Sequence, residues 1–121
     1  MRLAQVAQHA DDLDRAADFY SVLLESRPIA RFDPPGLLFF DLDGTRLLLD
    51  RSAPSALLYL HVGNVHEALE RIDGLAEVLS RPRVVFTHEN DVLGPSGHEE
   101  WQAFVRDSEG NTVGLVAFAA A

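Results

Sequence analysis

The chain contains no cysteine and no lysine, and each absence removes a class of chemistry. Without cysteine there can be no disulfide, thiol nucleophile or thiolate metal site, which fits a cytoplasmic protein. All ten basic residues are arginine, so no side chain can form a Schiff base. There is no continuous apolar run of about 18 residues, so no membrane-spanning helix is expected. The N-terminal stretch does not have the pattern of a signal peptide.

Positive charge is also scarce compared with negative charge. The 121 residues carry a formal net charge of −9, and 47 % of them are hydrophobic. A phosphate backbone requires a basic surface, so nucleic acid is not an expected partner. Anionic membrane surfaces are disfavoured for the same reason. The length and the apolar fraction predict one globular domain with a single core, residues 1–121.

One hairpin pattern occurs twice in the chain. The apolar runs Trp101–Val105 and Val113–Phe118 flank Asp107–Asn111, which is dense in turn-forming residues. The segment Asp41–Thr45 matches Asp107–Asn111 at an offset of 66 residues, Asp41 against Asp107. It lies between the apolar runs of residues 37–42 and 45–50. The repeat predicts two modules of similar structure.

Each module is predicted to have the element order β-α-β-β-β. In module one, residues 1–51, the predicted elements are a strand at Arg2–His9 and a helix through Leu24, for which Asp11–Asp14 offers an N-cap and acidic first-turn residues. Strands follow at Ile29–Phe32, Leu37–Leu42 and Thr45–Asp50. Residues 52–55 are small and contain proline, so they are interpreted as a linker.

Module two, residues 56–121, follows the same order with a longer loop. Its predicted elements are a strand at Ala56–Val62, a helix whose apolar stripe runs from Val65 to Leu79 behind the capping-box pair Asn64 and Glu67, a strand at Val84–Thr87, a polar loop at His88–His98 and the second hairpin. Arg81 and Pro82 are expected to end the helix.

Three motifs, in this order, resemble the vicinal oxygen chelate superfamily, which includes glyoxalase I, extradiol dioxygenases, and fosfomycin and bleomycin resistance proteins. They are Met1–Leu3 leading through Asp12–Ala16, then Gly44–Leu47, then Ala103–Asn111. The last is close to F-x-D-P-D-G-N, with Ser108 in place of proline. The resemblance covers nearly the whole chain. It implies an α+β fold in which two tandem βαβββ modules curl a mixed sheet around a cavity, and it implies a homodimer.

The resemblance also implies where a metal would be bound. Metal-dependent members place one ligand on each of the first, fourth, fifth and eighth strands. In this sequence those four ligand positions correspond to Gln5, Leu48, Leu57 and Gly114. Divalent ions require carboxylate, imidazole or amide-oxygen ligands, and of these four residues only Gln5 has one. We therefore expect no metal at these positions, no cofactor, and none of the metal-assisted reactions of the family.

Other side chains on the same strands could line the cavity instead. Residues two apart on a strand share a face, which places His9 with Gln5, and Tyr59 and His61 with Leu57. An apolar wall with a few polar groups suits an uncharged or aromatic small molecule. Alternatively, Tyr59 could be a half-buried strand residue with a solvated hydroxyl, and His61 could be a solvated histidine.

A second group of candidate residues lies around the long loop. His88 and His98, beside the carboxylates of Glu99 and Glu100, could perform general acid–base chemistry, and Trp101 could stack on a planar ligand. The same residues could also be a solvated loop anchored by a core tryptophan. A metal site made by His88, His98 and Glu99 is a third, less favoured interpretation.

These observations favour a metal-free, cytoplasmic protein that binds a small hydrophobic or aromatic molecule. The alternative is an enzyme of the same superfamily, a lyase, isomerase or dioxygenase-like protein with a non-standard metal site or His/Glu acid–base chemistry. A third interpretation is an interaction module that assembles as a homodimer, since an edge strand must be covered.

Overall fold

The computed structural model describes residues 1–121, with eight strands and two helices. The chain divides into two compact units: Met1–Ala56 with Ser108–Asn111, and Leu57–Asp107 with Thr112–Ala121. The first unit contains β1 (Gln5–His9), α1 (Leu13–Leu24), β2 (Ala30–Phe32), β3 (Leu37–Leu42) and β4 (Thr45–Asp50). The second contains β5 (Leu58–His61), α2 (Val65–Arg71), β6 (Glu77–Thr87), β7 (His98–Arg106) and β8 (Thr112–Ala120).

The sheet of the first unit has the strand order β1-β4-β3-β2. β1 runs parallel to β4, and the other two pairs are antiparallel. Helix α1 covers one face, where the rings of Tyr20 and Phe40 lie 6.2 Å apart. Register neighbours share a face, so Leu47 and Val6 lie on the α1 side with Phe40. The apolar area removed from water there is the main stabilising contribution in this unit.

Helix α1 begins and ends at residues with capping geometry. The carboxylate of the N-cap residue Asp12 accepts a hydrogen bond from Arg15 N at 3.0 Å. Glu25 adopts a left-handed conformation, with φ of 51°, and ends the helix. The predicted helix is confirmed, and of the aspartates in Asp11–Asp14 it is Asp12 that caps it.

The turn Ser108–Asn111 belongs to the first unit, although it connects β7 to β8. The side chain of Glu109 has no exposed surface. It accepts hydrogen bonds from the Asp12 N–H at 2.9 Å and from Arg15 Nε and Nη2 at 2.7 and 3.0 Å. Asn111 Nδ2 donates to the carbonyl oxygen of His9 at 2.8 Å. The motif therefore holds the start of α1 and the end of β1.

The sheet of the second unit has the strand order β5-β8-β7-β6, and β5 is parallel to β8. Helix α2 covers one face, where the rings of His66 and Trp101 lie 5.4 Å apart. Val105 and Leu115 are fully buried on this same side of the sheet. We call the opposite side the open face; it carries the alternate residues of each strand.

Helix α2 is shorter than predicted, and the strand after it is longer. Its cap is confirmed, because Asn64 Oδ1 accepts from the N–H groups of His66 and Glu67. The helix ends at Arg71 instead of Leu79, and Gly74 follows with φ of +78°. β6 then begins at Glu77, so the apolar residues beyond the turn belong to a strand.

Pro82 therefore lies within β6 and does not end a helix. It falls where the β6–β7 register shifts, between Ser80 and Arg83. At such an irregularity a residue without an N–H is tolerated in a strand. Helical spacing and the spacing of an irregular strand coincide over these few residues, which explains the wrong prediction.

The hairpins are confirmed, whereas several strand boundaries are corrected. Gly44 and Gly110 have φ of +96° and +86°, as turn residues require. The first strand begins at Gln5, not Arg2, and the fifth begins at Leu58, not Ala56. Leu57 therefore precedes the fifth strand and is exposed, because the pairing of β5 with β8 starts at Leu58.

The α+β class and the two tandem βαβββ modules are confirmed. Each sheet is mixed, because one parallel pair of strands adjoins antiparallel ones. Neither helix has the length and apolar character needed to cross a membrane.

Candidate functional site

Three rows of side chains can be assigned to the open face from the strand register. Tyr59, Gly114 and Phe104 are neighbours across β5, β8 and β7. The next row contains His61, Val116 and Gln102, and the row after that contains Phe118 and Glu100. The face thus combines aromatic rings with a carboxylate, an amide and an imidazole.

In the first row, two aromatic rings occupy the space beside Gly114. The rings of Tyr59 and Phe104 meet edge to face, with centroids 5.7 Å apart and an interplanar angle of 81°. A Cβ at position 114 would lie 2.9 Å from Tyr59 Cδ2 and 3.0 Å from Phe104 Cε1. Glycine is therefore required at this position for the two rings to pack as they do.

A hydrogen-bonded network lies at the other end of the open face. Glu100 Oε1 lies 2.9 Å from His88 Nε2, and Glu100 Oε2 accepts from Gln102 Nε2 at 2.7 Å. The His88 side chain is 2 % exposed, whereas that of Glu100 is 16 % exposed. The carboxylate is thus oriented by two partners and still reaches the surface.

Aromatic contacts extend from this network in both directions. His88 lies 4.8 Å from Phe86 and 5.6 Å from Phe118, measured between ring centroids. Phe118 in turn lies 5.4 Å from His61. The rings of Phe86, His88, Phe118 and His61 therefore form a continuous series, each in contact with the next. Glu100 is the register neighbour of both Phe86 and Phe118.

The loop between β6 and β7 folds back over His88. A Cβ at Gly94 would lie 2.8 Å from both His88 Nε2 and Phe118 Cε1, so the loop backbone rests directly on these rings. The loop is held by Ser96, whose N–H donates to Asp91 and whose hydroxyl donates to the Glu89 carbonyl. An open pocket of about 500 Å³ lies here, lined by Phe86, Thr87, His88, Glu89, Asn90, Val92 and Leu93.

The cluster predicted around this loop is only partly brought together. Glu99 and Trp101 lie on the α2 side of the sheet, because residues alternate along β7. Of the two carboxylates predicted in this cluster, Glu100 lies beside His88 and Glu99 does not. His98 begins β7, and its Nδ1 lies 3.1 Å from the Ser96 carbonyl oxygen.

The first unit holds the remaining predicted residues. Gln5 and His9 lie on the face of β1 that is opposite α1, and Leu48 is a register neighbour of Ala7 on that face. His9 Nε2 lies 2.8 Å from Asp11 Oδ1. The hydrogen bond to Asp11 raises the pKa of His9 above its ordinary value, although partial desolvation opposes the shift.

The residues present do not fit the metal that the fold family implies. In the first unit Gln5 offers one amide oxygen and Leu48 offers nothing. In the second unit Leu57 offers nothing, and the side-chain space at Gly114 is filled by Tyr59 and Phe104. No group of three or more His, Asp or Glu side chains is placed to hold a metal ion. A divalent ion requires three or four such ligands from the protein.

Sequence reasoning missed Gln102, Phe104 and Phe118 as members of the open face, and it grouped Glu100 with Glu99 without distinguishing the faces on which they lie. Their alternation was visible, since Glu100, Gln102 and Phe104 are each two residues apart. The sequence did not show whether the even-numbered or the odd-numbered residues of β7 face α2, because this depends on the register between β7 and β8.

The fold resembles that of several solved structures, at low sequence identity. A glyoxalase-related enzyme from Fulvimarina pelagi aligns with a TM-score of 0.70 and 17 % identity, over 97 % of this chain and 88 % of its own. A glyoxalase/bleomycin resistance protein from Albidiferax ferrireducens T118 gives 0.66 and 15 %, over 95 % and 98 %. A glyoxalase/bleomycin resistance protein/dioxygenase from Alicyclobacillus acidocaldarius gives 0.67 and 18 %, over 97 % and 91 %.

No family model and no curated protein matches the sequence. The structural likeness shows that this chain has the fold of these glyoxalase/bleomycin resistance-like proteins. At these identities it establishes the fold alone, and the site must be interpreted from its own residues.

Proposed function

We propose that this chain binds a small hydrophobic or aromatic molecule on the open face of the second sheet, without a metal. The observation that carries the proposal is the Tyr59–Phe104 ring pair beside Gly114. It puts apolar ring surface where a chelating relative would carry a carboxylate. Tyr59 remains 54 % exposed, so its ring is available to a ligand.

The surroundings of the ring pair support this proposal. Binding sites for small molecules combine apolar and aromatic walls with a few placed polar groups. Phe118 and Val116 continue the apolar surface, and Glu100 and Gln102 supply the polar groups. A ring stacked on Tyr59 would gain about 0.5–1.5 kcal/mol beyond the apolar area that it buries.

The experiment is a titration of naphthyl compounds followed by protein NMR and by thermal shift. We expect ligand-dependent stabilisation of the wild-type chain and weaker binding to Tyr59→Ala. Phe32→Ala is the matched control, because Phe32 is also 54 % exposed and also meets a partner ring, Phe39, edge to face. Equal losses in the two variants, or no stabilisation by any aromatic compound, would refute the proposal.

The metal-free state has its own test. We expect elemental analysis of protein purified without chelator to find iron, nickel, zinc and manganese far below one ion per chain. A stoichiometric amount of any of these metals would refute this part of the proposal.

A second candidate function is acid–base catalysis on a small oxygenated substrate. The specific observation in its favour is the 2.9 Å contact between His88 and Glu100, since a histidine oriented by a carboxylate can transfer protons near neutral pH. If the chain turns over a substrate, His88→Gln should abolish turnover with little effect on binding. Unchanged turnover in that variant would dispose of this candidate.

We further propose that the chain forms a homodimer. β6 pairs only with β7, and its exposed large hydrophobic residues include Val78, Val84 and Phe86. Cover by another chain is one way to prevent non-specific pairing at such an edge. Light scattering at micromolar concentration should give twice the chain mass of 13.3 kDa, and a monomer would contradict the proposal.

A further inference from the structure

We infer that the open face selects aromatic ligands that carry an ammonium group, with Glu100 as the anchor for that group. The inference deepens the proposed function and rests on it. It concerns the charge of the ligand, whereas the proposed function concerns its ring.

The first argument is that the Glu100 carboxylate has unused acceptor positions and is partly exposed. A carboxylate has about four acceptor positions on its two oxygens, and His88 and Gln102 use one on each oxygen. Acceptor capacity thus remains on a side chain that is 16 % exposed. A charge that has lost most of its water interacts more strongly with an incoming opposite charge than a fully solvated one does.

The second argument is the position of Glu100 between two phenyl rings. In the strand register Phe86 lies on one side and Phe118 on the other. The face of an aromatic ring attracts cations, and an ammonium group is the typical ligand of a carboxylate combined with aromatic rings. An anionic ligand would be repelled by the carboxylate, and a neutral one would gain little from it.

The third argument is the charge of the neighbourhood. The loop that adjoins His88 carries Glu89 and Asp91, both exposed. Apart from His88, which lies 2.9 Å from Glu100, the nearest basic residue by register is Arg83, and it is the neighbour of Gln102, not of Glu100. The whole chain carries a net charge of −9, which favours the approach of a cation.

The test compares three naphthyl probes of similar size: naphthylmethylamine and naphthylmethanol, which have the same shape, and naphthoate, which is anionic. Calorimetry and NMR titration would give the affinity of each for the wild-type chain, for Glu100→Gln and for Glu99→Gln. Glu99→Gln is the matched control, since it removes the same charge from the adjacent residue, on the α2 side of the sheet.

We expect the wild-type chain to bind the amine at least about tenfold more tightly than the alcohol, as a desolvated charge pair would give. In Glu100→Gln the two probes should bind within about twofold of each other, and in Glu99→Gln the tenfold preference should persist. On the wild-type chain, the amine should shift the NMR signals of Glu100, Phe86 and Phe118 more than the alcohol does.

Equal binding of amine and alcohol by the wild-type chain would overturn this inference and leave the proposed function standing. Equal loss in Glu99→Gln and Glu100→Gln would overturn it too, because a general field effect would then explain the preference. If none of the three probes binds, the proposed function itself fails. The NMR comparison uses the wild-type chain alone, so it decides the matter even if Glu100→Gln does not fold.

Discussion

Replacing Glu109 with glutamine should destabilise the chain at neutral pH. The substitution keeps the shape of the side chain and an acceptor for the Asp12 N–H. It removes the negative charge, and it presents an NH₂ group to one of the two Arg15 donors, which lie 2.7 and 3.0 Å from the carboxylate.

The magnitude follows from the number of contacts and their exposure. Hydrogen bonds to charged groups contribute about 1.5–3 kcal/mol each, and an unsatisfied buried group costs a similar amount. The Arg15 side chain is 53 % exposed, so water compensates part of its loss. We therefore expect the free energy of unfolding to fall by about 1–2 kcal/mol. For a chain of this size, that is a melting temperature lower by roughly 3–10 °C.

The pH dependence supplies a second readout. Partial burial raises the pKa of Glu109, but hydrogen bonds from Arg15, the Asp12 N–H and Ser108 outweigh it, so the pKa is lowered. A lowered carboxyl pKa stabilises the fold above the unfolded pKa of about 4.3, and this contribution is lost as the pH falls through the folded pKa. The difference between wild type and Glu109→Gln should thus be constant from about pH 6 to 8 and shrink below about pH 4.

The assay is urea unfolding followed by circular dichroism across this pH range. Glu77→Gln is the control, because its partner Arg106 lies 3.2 Å away in an exposed ion pair, and such pairs contribute about 0–1 kcal/mol. If Glu109→Gln costs no more than Glu77→Gln, or if its cost grows in acid, the reasoning is refuted.

Three further predictions concern single side chains. Gln8 is fully buried and its amide atoms have no hydrogen-bond partner, so Gln8→Met should raise the free energy of unfolding by about 1–2 kcal/mol; a loss in urea unfolding would show that the amide is satisfied by water. Gly94→Ala should lower the free energy of unfolding by about 1–3 kcal/mol, because the added Cβ would lie 2.8 Å from atoms of His88 and Phe118. Gly63→Ala, with nothing within 4 Å, is its control, and equal melting temperatures would contradict the contact. The raised pKa of His9 depends chiefly on Asp11, so Asp11→Asn should lower the His9 pKa measured by NMR titration. In the wild-type chain, the contribution of His9 to the free energy of unfolding should be present at acidic pH and be lost as the pH rises through the folded pKa.

The elements that the sequence predicts well are those encoded by neighbouring residues. Asp12 caps α1, and Gly44 and Gly110 supply the positive φ that their turns require. Each of these signals needs only a few adjacent residues. The hairpins and the repeat were therefore predictable, and the fold followed from them.

The elements that were missed depend on contacts between distant residues. Glu99 and Glu100 are chemically identical neighbours, and only the pairing of β7 with β8 decides which one meets His88. The residues after Gly74 fit a helical stripe, but pairing with β7 makes them a strand. Strand pairing decides both cases: it sets the face on which each glutamate lies, and it overrides the helical pattern after Gly74.

The turn Ser108–Asn111 has a consequence for the order in which the chain can fold. The hydrogen bond from Asp12 to Glu109 spans 97 residues, and the one from Asn111 to His9 spans 102. Contacts of such separation are slow to form, because a long loop must close first. During synthesis at about 5–20 residues per second, the first helix would wait several seconds for the carboxylate that completes its N-terminus. A nascent chain that stops before residue 108 carries this helix end without its Glu109 partner.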